Sequence, residues 1–339
     1  MPGTKENNND TPSGKVTIVF LKCDKIPEEA SEAHGEYQDV LHNLFEPLLP
    51  EKRELELETL SYDVVHKREY PKEDVLERAD AVVVSGSFED DAHADTMWIL
   101  KLAGFLIKLH DEYPKTRIIG ICFGLQVIAR AFGPSTIEKN PKGWEVGSTR
   151  VDLTDIGRKL IWGEGNIRIN DDASELPDHV MMQQIHSDVV FDCPHNFHLL
   201  GASEKTPVQG IVHFYPDPDP EQEEKDKAGR SGNGTPEEQE EAEHAEKKEA
   251  GKKVETGDAP EFTHSKEHEL PKGLWRNVHI IAFQGHPEWH EGILLPLIDN
   301  YEKDGVYSKE FAAEARKNAK ASHDGERVGK VLLRVLGVA

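Results

Sequence analysis

The chain has 339 residues, a formal net charge of −24 from 64 acidic against 40 basic residues, and a mean hydropathy of −0.62. That length suits one α/β domain carrying insertions, and so acidic a surface repels phosphate backbones, which argues against nucleic acid as a partner. No apolar run approaches the roughly 20 residues of a membrane span, and the polar start MPGTKENNNDTPSG lacks a signal-peptide core.

Cys23, Cys122 and Cys193 lie far apart without a CxxC pair, which fits a reducing compartment and leaves room for one working thiol. A cytosolic protein is expected, with the nucleus also compatible.

Residues 1–14 read as a disordered tail. Val16–Leu21 is a continuous apolar run, as expected of a strand buried on both faces of a parallel sheet. A helix is expected around His34–Leu48, a strand near Leu55–Val65 and a buried strand at Ala81–Val84 that ends in the turn Ser85-Gly86-Ser87. An amphipathic helix follows over Thr96–His110, then a strand at Arg117–Ile121 and a helix over Leu125–Phe132. Strands alternating with helices give βαβ units and a doubly wound parallel sheet. Beyond Gly133 the pattern changes: Trp144–Leu153 alternates like a half-buried antiparallel strand, and Phe197–Ala202 and Val208–Phe214 read as further strands.

Residues 216–270 hold 18 acidic and 8 basic residues and almost no core-forming side chains. Such a segment cannot bury enough apolar area to offset its ordering entropy, so a disordered acidic insertion is expected there. It serves either as a docking or regulatory element or as a tolerated loop expansion. Order returns with the buried strand Val278–Phe283 and helices near Glu291–Lys303, Lys309–Ser322 and Gly325–Val335. The remainder, 15–339, is expected to be a single domain interrupted by that insertion.

The sharpest chemical feature is Gly120-Ile121-Cys122-Phe123-Gly124, between an apolar strand and a helix. A G-x-nucleophile-x-G turn forces its central residue into strain and holds the side chain clear of the sheet. A sulfur at a helix N-terminus meets free N–H groups and the positive end of the macrodipole, both of which favour the anion. The competing reading is that Cys122 is a small buried apolar residue.

His286, in Gln284-Gly285-His286-Pro287-Glu288, follows a buried strand and can shuttle the cysteine proton. Glu288 can fix its tautomer. The order Cys, His, Glu departs from that of α/β-hydrolases. Taken alone, His286 reads as one loop histidine among 17; the nearby carboxylate and the strand-end position set it apart.

These two motifs, with Gln126 behind the first, resemble the class I glutamine amidotransferase family. The resemblance runs from about Val16 to about Pro296 and implies a flavodoxin-like, mostly parallel sheet with helices on both faces and a small antiparallel addition. It assigns Cys122 as nucleophile, His286 and Glu288 as the other triad members, and the N–H groups of Gly86 and Phe123 as the oxyanion hole. Gln126 and the stretch His186-Ser187-Asp188 match regions that hold the glutamine substrate.

The segment Val83–Ser87 with Asp91-Ala92-His93 and Trp98-Ile99 is similar to the stand-alone branch, which includes plant γ-glutamyl peptidases and small fungal amidotransferase-like proteins. The resemblance thus implies hydrolysis of glutamine or γ-glutamyl bonds with no cofactor and no metal. An ammonia-donating subunit serving a separate synthase and a non-catalytic binding protein of the same fold are the other two readings. Leu125 departs from the family pattern and is read as pocket variation. Trp144, Trp162 and Trp289 are candidates to line the pocket, though such residues are more often core or rim aromatics.

Overall fold

Alternating burial along the strands builds two hydrophobic cores, one on each face of a central sheet. Ile18 and Phe20 point into one core and Val19 and Leu21 into the other. A computed structural model describes residues 14–50, 55–88, 90–165, 167–216 and 274–338. The expected tail, up to residue 13, and the expected acidic insertion, from residue 217, lie outside the described residues.

The elements in chain order are β1 (Gly14–Lys22), α1 (Glu28–His34), α2 (Tyr37–Phe45), β2 (Leu55–Asp63), α3 (Glu73–Leu76), β3 (Ala81–Val84), α4 (Met97–Glu112), β4 (Arg117–Ile121) and α5 (Phe123–Phe132). There follow β5 (Ile137–Lys139), β6 (Glu145–Leu153), α6 (Asp155–Trp162), β7 (His179–His186), β8 (Asp188–Val190), β9 (His198–Ala202) and β10 (Gly210–Phe214). The chain closes with β11 (Val278–Phe283), α7 (Glu291–Lys303), α8 (Lys309–Ala319) and α9 (Gly325–Val335).

The main sheet has the order β2-β1-β3-β4-β11-β10-β9-β6-β7. The five strands from β2 to β11 are parallel, and the remaining four run antiparallel. The parallel strands are the continuous apolar runs of the sequence, and α4 and α5 cover one face while α2, α7 and α9 cover the other. The fold is therefore a mixed α/β sheet with a predominantly parallel core. Its antiparallel extension is larger than the sequence pattern suggests.

This topology places three chain turns side by side. In the register of adjacent parallel strands, Val84 pairs with Gly120, and Ile121 pairs with Phe283. The carboxyl ends of β3, β4 and β11 are thus neighbours, and the Gly86 turn, Cys122 and the His286 loop leave the sheet together. The carboxyl edge of a parallel sheet is where such folds bind ligands.

Candidate active site

Cys122 occupies the junction of β4 and α5 with φ 55° and ψ −108°, a conformation a side-chain-bearing residue adopts only under constraint. The constraint comes from both sides. Its N–H donates to Phe283 O at 2.8 Å, and its own carbonyl accepts from Leu125 N at 2.9 Å. The flanking glycines permit the turn to close. A Cβ at Gly124 would sit 2.3 Å from Val84 O, and one at Gly120 would meet Ile128 Cδ1 at 2.6 Å. Phe123 opens α5, so its N–H has no carbonyl one turn earlier to bond.

His286 is wholly buried on the loop after β11. Its backbone N–H donates to Gln183 O at 2.8 Å, tying the loop to β7. Glu288 Oε1 lies 2.8 Å from its Nδ1. Nε2 is buried without an aligned hydrogen-bond partner among the described residues, while Cys122 lies close enough to act on the ring by charge and by polar contact. Burial alone would lower the pKa of this imidazole. The charges of Glu288 and Cys122, with the Glu288 hydrogen bond and the polar contact to Cys122, outweigh burial and raise it to about 9. The ring therefore holds its proton at neutral pH.

Gly86 lies against both His286 and Cys122. A Cβ there would lie 3.2 Å from His286 Cε1, 3.2 Å from Tyr37 Oη and 3.6 Å from Cys122 Cβ. Its turn is held by Ser85, whose hydroxyl accepts from Cys23 N at 2.9 Å and donates to Gly86 O at 3.0 Å.

The opening above Cys122 is lined by Gln126, His186, Ser187 and Asp188, the four residues singled out in the sequence, and also by Phe88, Asp91, Trp144 and Tyr301. The four do not present equal chemistry. Gln126 Nε2 donates to Asp188 O and to Gln284 Oε1, both at 3.1 Å, and Gln284 Nε2 in turn contacts Cys122 Sγ at 3.5 Å. Gln126 thus braces the wall behind the sulfur.

His186 is held from both ring nitrogens: Nδ1 is 3.0 Å from Asp188 O, and Nε2 is 3.2 Å from Glu145 Oε2, although poorly aligned for a hydrogen bond. Burial pushes the Glu145 carboxyl up, but the close contact and charge of His186, with hydrogen bonds from Ser203 and Thr206, hold it below its ordinary range. That network is wall structure.

Asp188 differs, because its Oδ2 is buried and makes no hydrogen bond among the described residues. His93 Nδ1 stands 3.8 Å from that oxygen. Burial, then a hydrogen bond and like charge from Asp91, raise the Asp188 pKa. This is an acidic pair that a cation would relieve.

Two candidates from the sequence, Leu125 and Trp162, lie elsewhere, as do Cys23 and Cys193. Leu125 is fully buried in the core beside α4 and does not line the opening, because the helix turns that position toward the sheet. Trp162 packs under Arg327 and donates to His179 O at 2.9 Å. Cys23 and Cys193 sit outside the pocket, and burial raises both thiols, Cys193 to about 11. Conversely, Trp289 stacks on His286 and Trp144 lines the opening. Gln284, Tyr37, Phe88 and Tyr301 carry no sequence pattern that separates them from ordinary core residues.

Residues 37–215 match the family described as glutamine amidotransferase class-I. The chain belongs to the class I glutamine amidotransferase family. The match ends before β11, so His286 and Glu288 lie beyond it. This member is 34% identical over 194 residues to a glutamine amidotransferase-like protein of Schizosaccharomyces pombe, covering 57% of this chain and 72% of that protein. It is 35% identical over 195 residues to gamma-glutamyl peptidase 4 of Arabidopsis thaliana, covering 58% and 69%.

A third relative is a glutamine-hydrolyzing GMP synthase component of Methanopyrus kandleri, 28% identical over 141 residues, 42% of this chain and 63% of that one. The crystal structure of a glutamine amidotransferase from Thermotoga maritima shares the fold, with a TM-score of 0.53 at 16% identity over 95% of this chain and 98% of that chain. Among the described residues no helix is long and apolar enough to cross a membrane.

Proposed function

We propose that this amidotransferase-family chain is a cysteine-dependent hydrolase of glutamine amides or γ-glutamyl bonds. The observation that carries the reading is the strained Cys122 turn facing, across the Gly86 gap, an imidazole whose Nδ1 is 2.8 Å from Glu288.

Cys122 Sγ attacks the γ-carbonyl carbon, and the C=O electron pair moves onto oxygen. The N–H groups of Gly86 and Phe123 receive that oxyanion, and each donor of this kind typically contributes on the order of 10² to 10³ in rate. As the tetrahedral species collapses, the C–N bond breaks and His286 gives its proton to the departing ammonia or amine. A γ-glutamyl thioester remains on Cys122. Water, deprotonated by the now neutral His286, attacks the thioester carbon, the C–S bond breaks, and glutamate leaves with the Cys122 thiolate and the reprotonated His286 restored. The Asp91–Asp188 pair favours a substrate with a free α-ammonium group, the cation that would offset two neighbouring carboxylates.

Glutamate release from glutamine and from a γ-glutamyl dipeptide by the purified full chain tests this. Turnover of either substrate that disappears in Cys122→Ala supports hydrolysis. Equal behaviour of the two proteins overturns it and favours a non-catalytic binding role. The second reading, an ammonia donor to a separate synthase, draws on the Methanopyrus relative. It predicts turnover only when a synthase is added.

A further inference from the structure

Three histidines from distant parts of the chain converge at the end of β11 opposite His286. His110 lies near the end of α4, His213 on β10 and His279 at the start of β11. One ring nitrogen from each lies within 4.8 Å of the others. The rings of His110 and His279 are stacked with centroids 4.8 Å apart, and Tyr215 stacks on the other side of His279 at 4.4 Å.

Two of the three carry orphaned polar atoms: His213 Nδ1 and His279 Nε2 are buried and have no hydrogen-bond partner among the described residues. Buried polar atoms are nearly always paired, so two orphans in one cluster require a cause. The remaining contacts hold the rings in the manner of metal ligands. His110 Nδ1 is 2.8 Å from Asp111 Oδ1, which leaves its Nε2 for another bond, and the His279 imidazole is also hydrogen-bonded to the Thr116 backbone. A carboxylate or backbone group on the second nitrogen is the common device for orienting a histidine ligand.

We propose that His110, His213 and His279 form a binding site for a single divalent transition-metal ion of the zinc class, with a fourth position open to solvent or an exogenous ligand. Imidazole suits zinc and its borderline neighbours rather than calcium or magnesium. A tetrahedral ion with bonds of about 2.0–2.1 Å sets its ligand nitrogens roughly 3.4 Å apart, so small side-chain rotations close the cluster.

The chemistry of the donors agrees. Burial, together with repulsion from the neighbouring histidines, lowers His213 to about 4 and His279 to about 3, so both are neutral, the form that binds metal. One ion would satisfy both orphaned nitrogens and tie α4 to the edge of β10 and β11. The three positions are too widely spaced along the chain to form a recognisable ligand motif, which is why the sequence indicates no metal. The proposal is independent of the reaction at Cys122.

The test is Zn²⁺ titration of the metal-stripped full chain against a chromophoric chelator, repeated in a Cys122→Ala background to remove the catalytic thiol. Visible absorption of the Co²⁺ form provides a second readout. The expected result is one equivalent bound in both backgrounds, with binding weakened about tenfold in Asp111→Asn and by more in His110→Ala and His213→Ala. Zn²⁺ should raise Tm in the wild type but not in His110→Ala. That side chain is 30% exposed, so its loss leaves a foldable protein even if His213→Ala does not fold. A Zn²⁺ affinity or Co²⁺ spectrum unchanged in His110→Ala, or no binding at all, overturns the proposal.

Discussion

The indole of Trp289 lies face to face with the imidazole of His286, with ring centroids 3.6 Å apart and planes inclined by 14°. Both side chains are buried, and Trp289 is itself stacked on Phe88 at 5.7 Å and packed near Tyr37 at 6.0 Å. The imidazole is thus fixed at one nitrogen by Glu288 and across one face by an aromatic wall. An aromatic face also favours a cation lying against it, which here is the imidazolium.

Trp289→Leu removes that wall and lets the imidazole tilt. The expected result is a fall in kcat of about tenfold to a hundredfold with little change in KM, because small misplacements of a catalytic group cost on this scale. Trp289→Phe keeps a stacked ring and should retain most of the activity. Steady-state kinetics of the two variants checks this, and equal losses in both would point to cavity formation instead.

Glu288→Gln tests the electrostatics of His286. The folded pKa of about 9 is raised above the ordinary 6.5, so the bound proton stabilises the fold fully below about 6.5. That contribution is lost as pH climbs through 9. In the proposed mechanism the protonated ring is the acid for the leaving amine, so kcat/KM should decline on the alkaline side with an apparent pKa near 9. Without the Glu288 charge, that limb moves toward neutrality. An unmoved limb in the variant would contradict the assignment.

Gly86→Ala places a methyl group against both His286 and Cys122. Its contacts, 3.2 Å to His286 Cε1 and 3.2 Å to Tyr37 Oη, are tight but fall on side chains that can yield. The variant should fold, with Tm lowered by only a few degrees, while turnover falls by at least about a hundredfold through displaced groups. Gly124→Ala offers the contrast: its methyl would strike the Val84 backbone oxygen at 2.3 Å, so it should fail to accumulate as folded protein.

Asp188→Asn separates binding from stability. Burial and the neighbouring Asp91 raise the pKa of this carboxyl, which means that its charged form costs the folded state. Stability from this group therefore increases as pH falls through its raised pKa. The amide removes the charge, so Tm at neutral pH should rise. KM for a substrate with a free α-ammonium should rise as well, with kcat less affected. Lower stability together with unchanged KM would remove Asp188 from the substrate site.

Much of the central sheet is legible in the sequence because parallel strands are continuous apolar runs: Ala81–Val84, Arg117–Ile121 and Val278–Phe283 coincide with β3, β4 and β11. The elements that escape are those whose burial is one-sided or polar. β7, with its run of Gln183, Gln184 and His186, carries no apolar strand signal in the sequence, and its hydrogen bond to the His286 backbone and its buried glutamines appear only in the structure. α6 is similarly masked by its charged residues.

At the site, Cys122 and His286 stand out through glycine spacing and strand-end position, which are local signals. The role of Gln126 as a brace depends on Gln284, 158 residues away, and no local pattern encodes that pairing.

The central claim is that Cys122 Sγ carries the glutamyl group. Incubating the full chain with an electrophilic glutamine analogue, followed by peptide mass spectrometry, tests it most directly. A single adduct on the Cys122 peptide, blocked by excess glutamine or γ-glutamyl dipeptide and absent in Cys122→Ala, is the predicted result. Labelling of Cys23 or Cys193 in its place, or γ-glutamyl hydrolysis that persists in the Cys122→Ala protein, would contradict it.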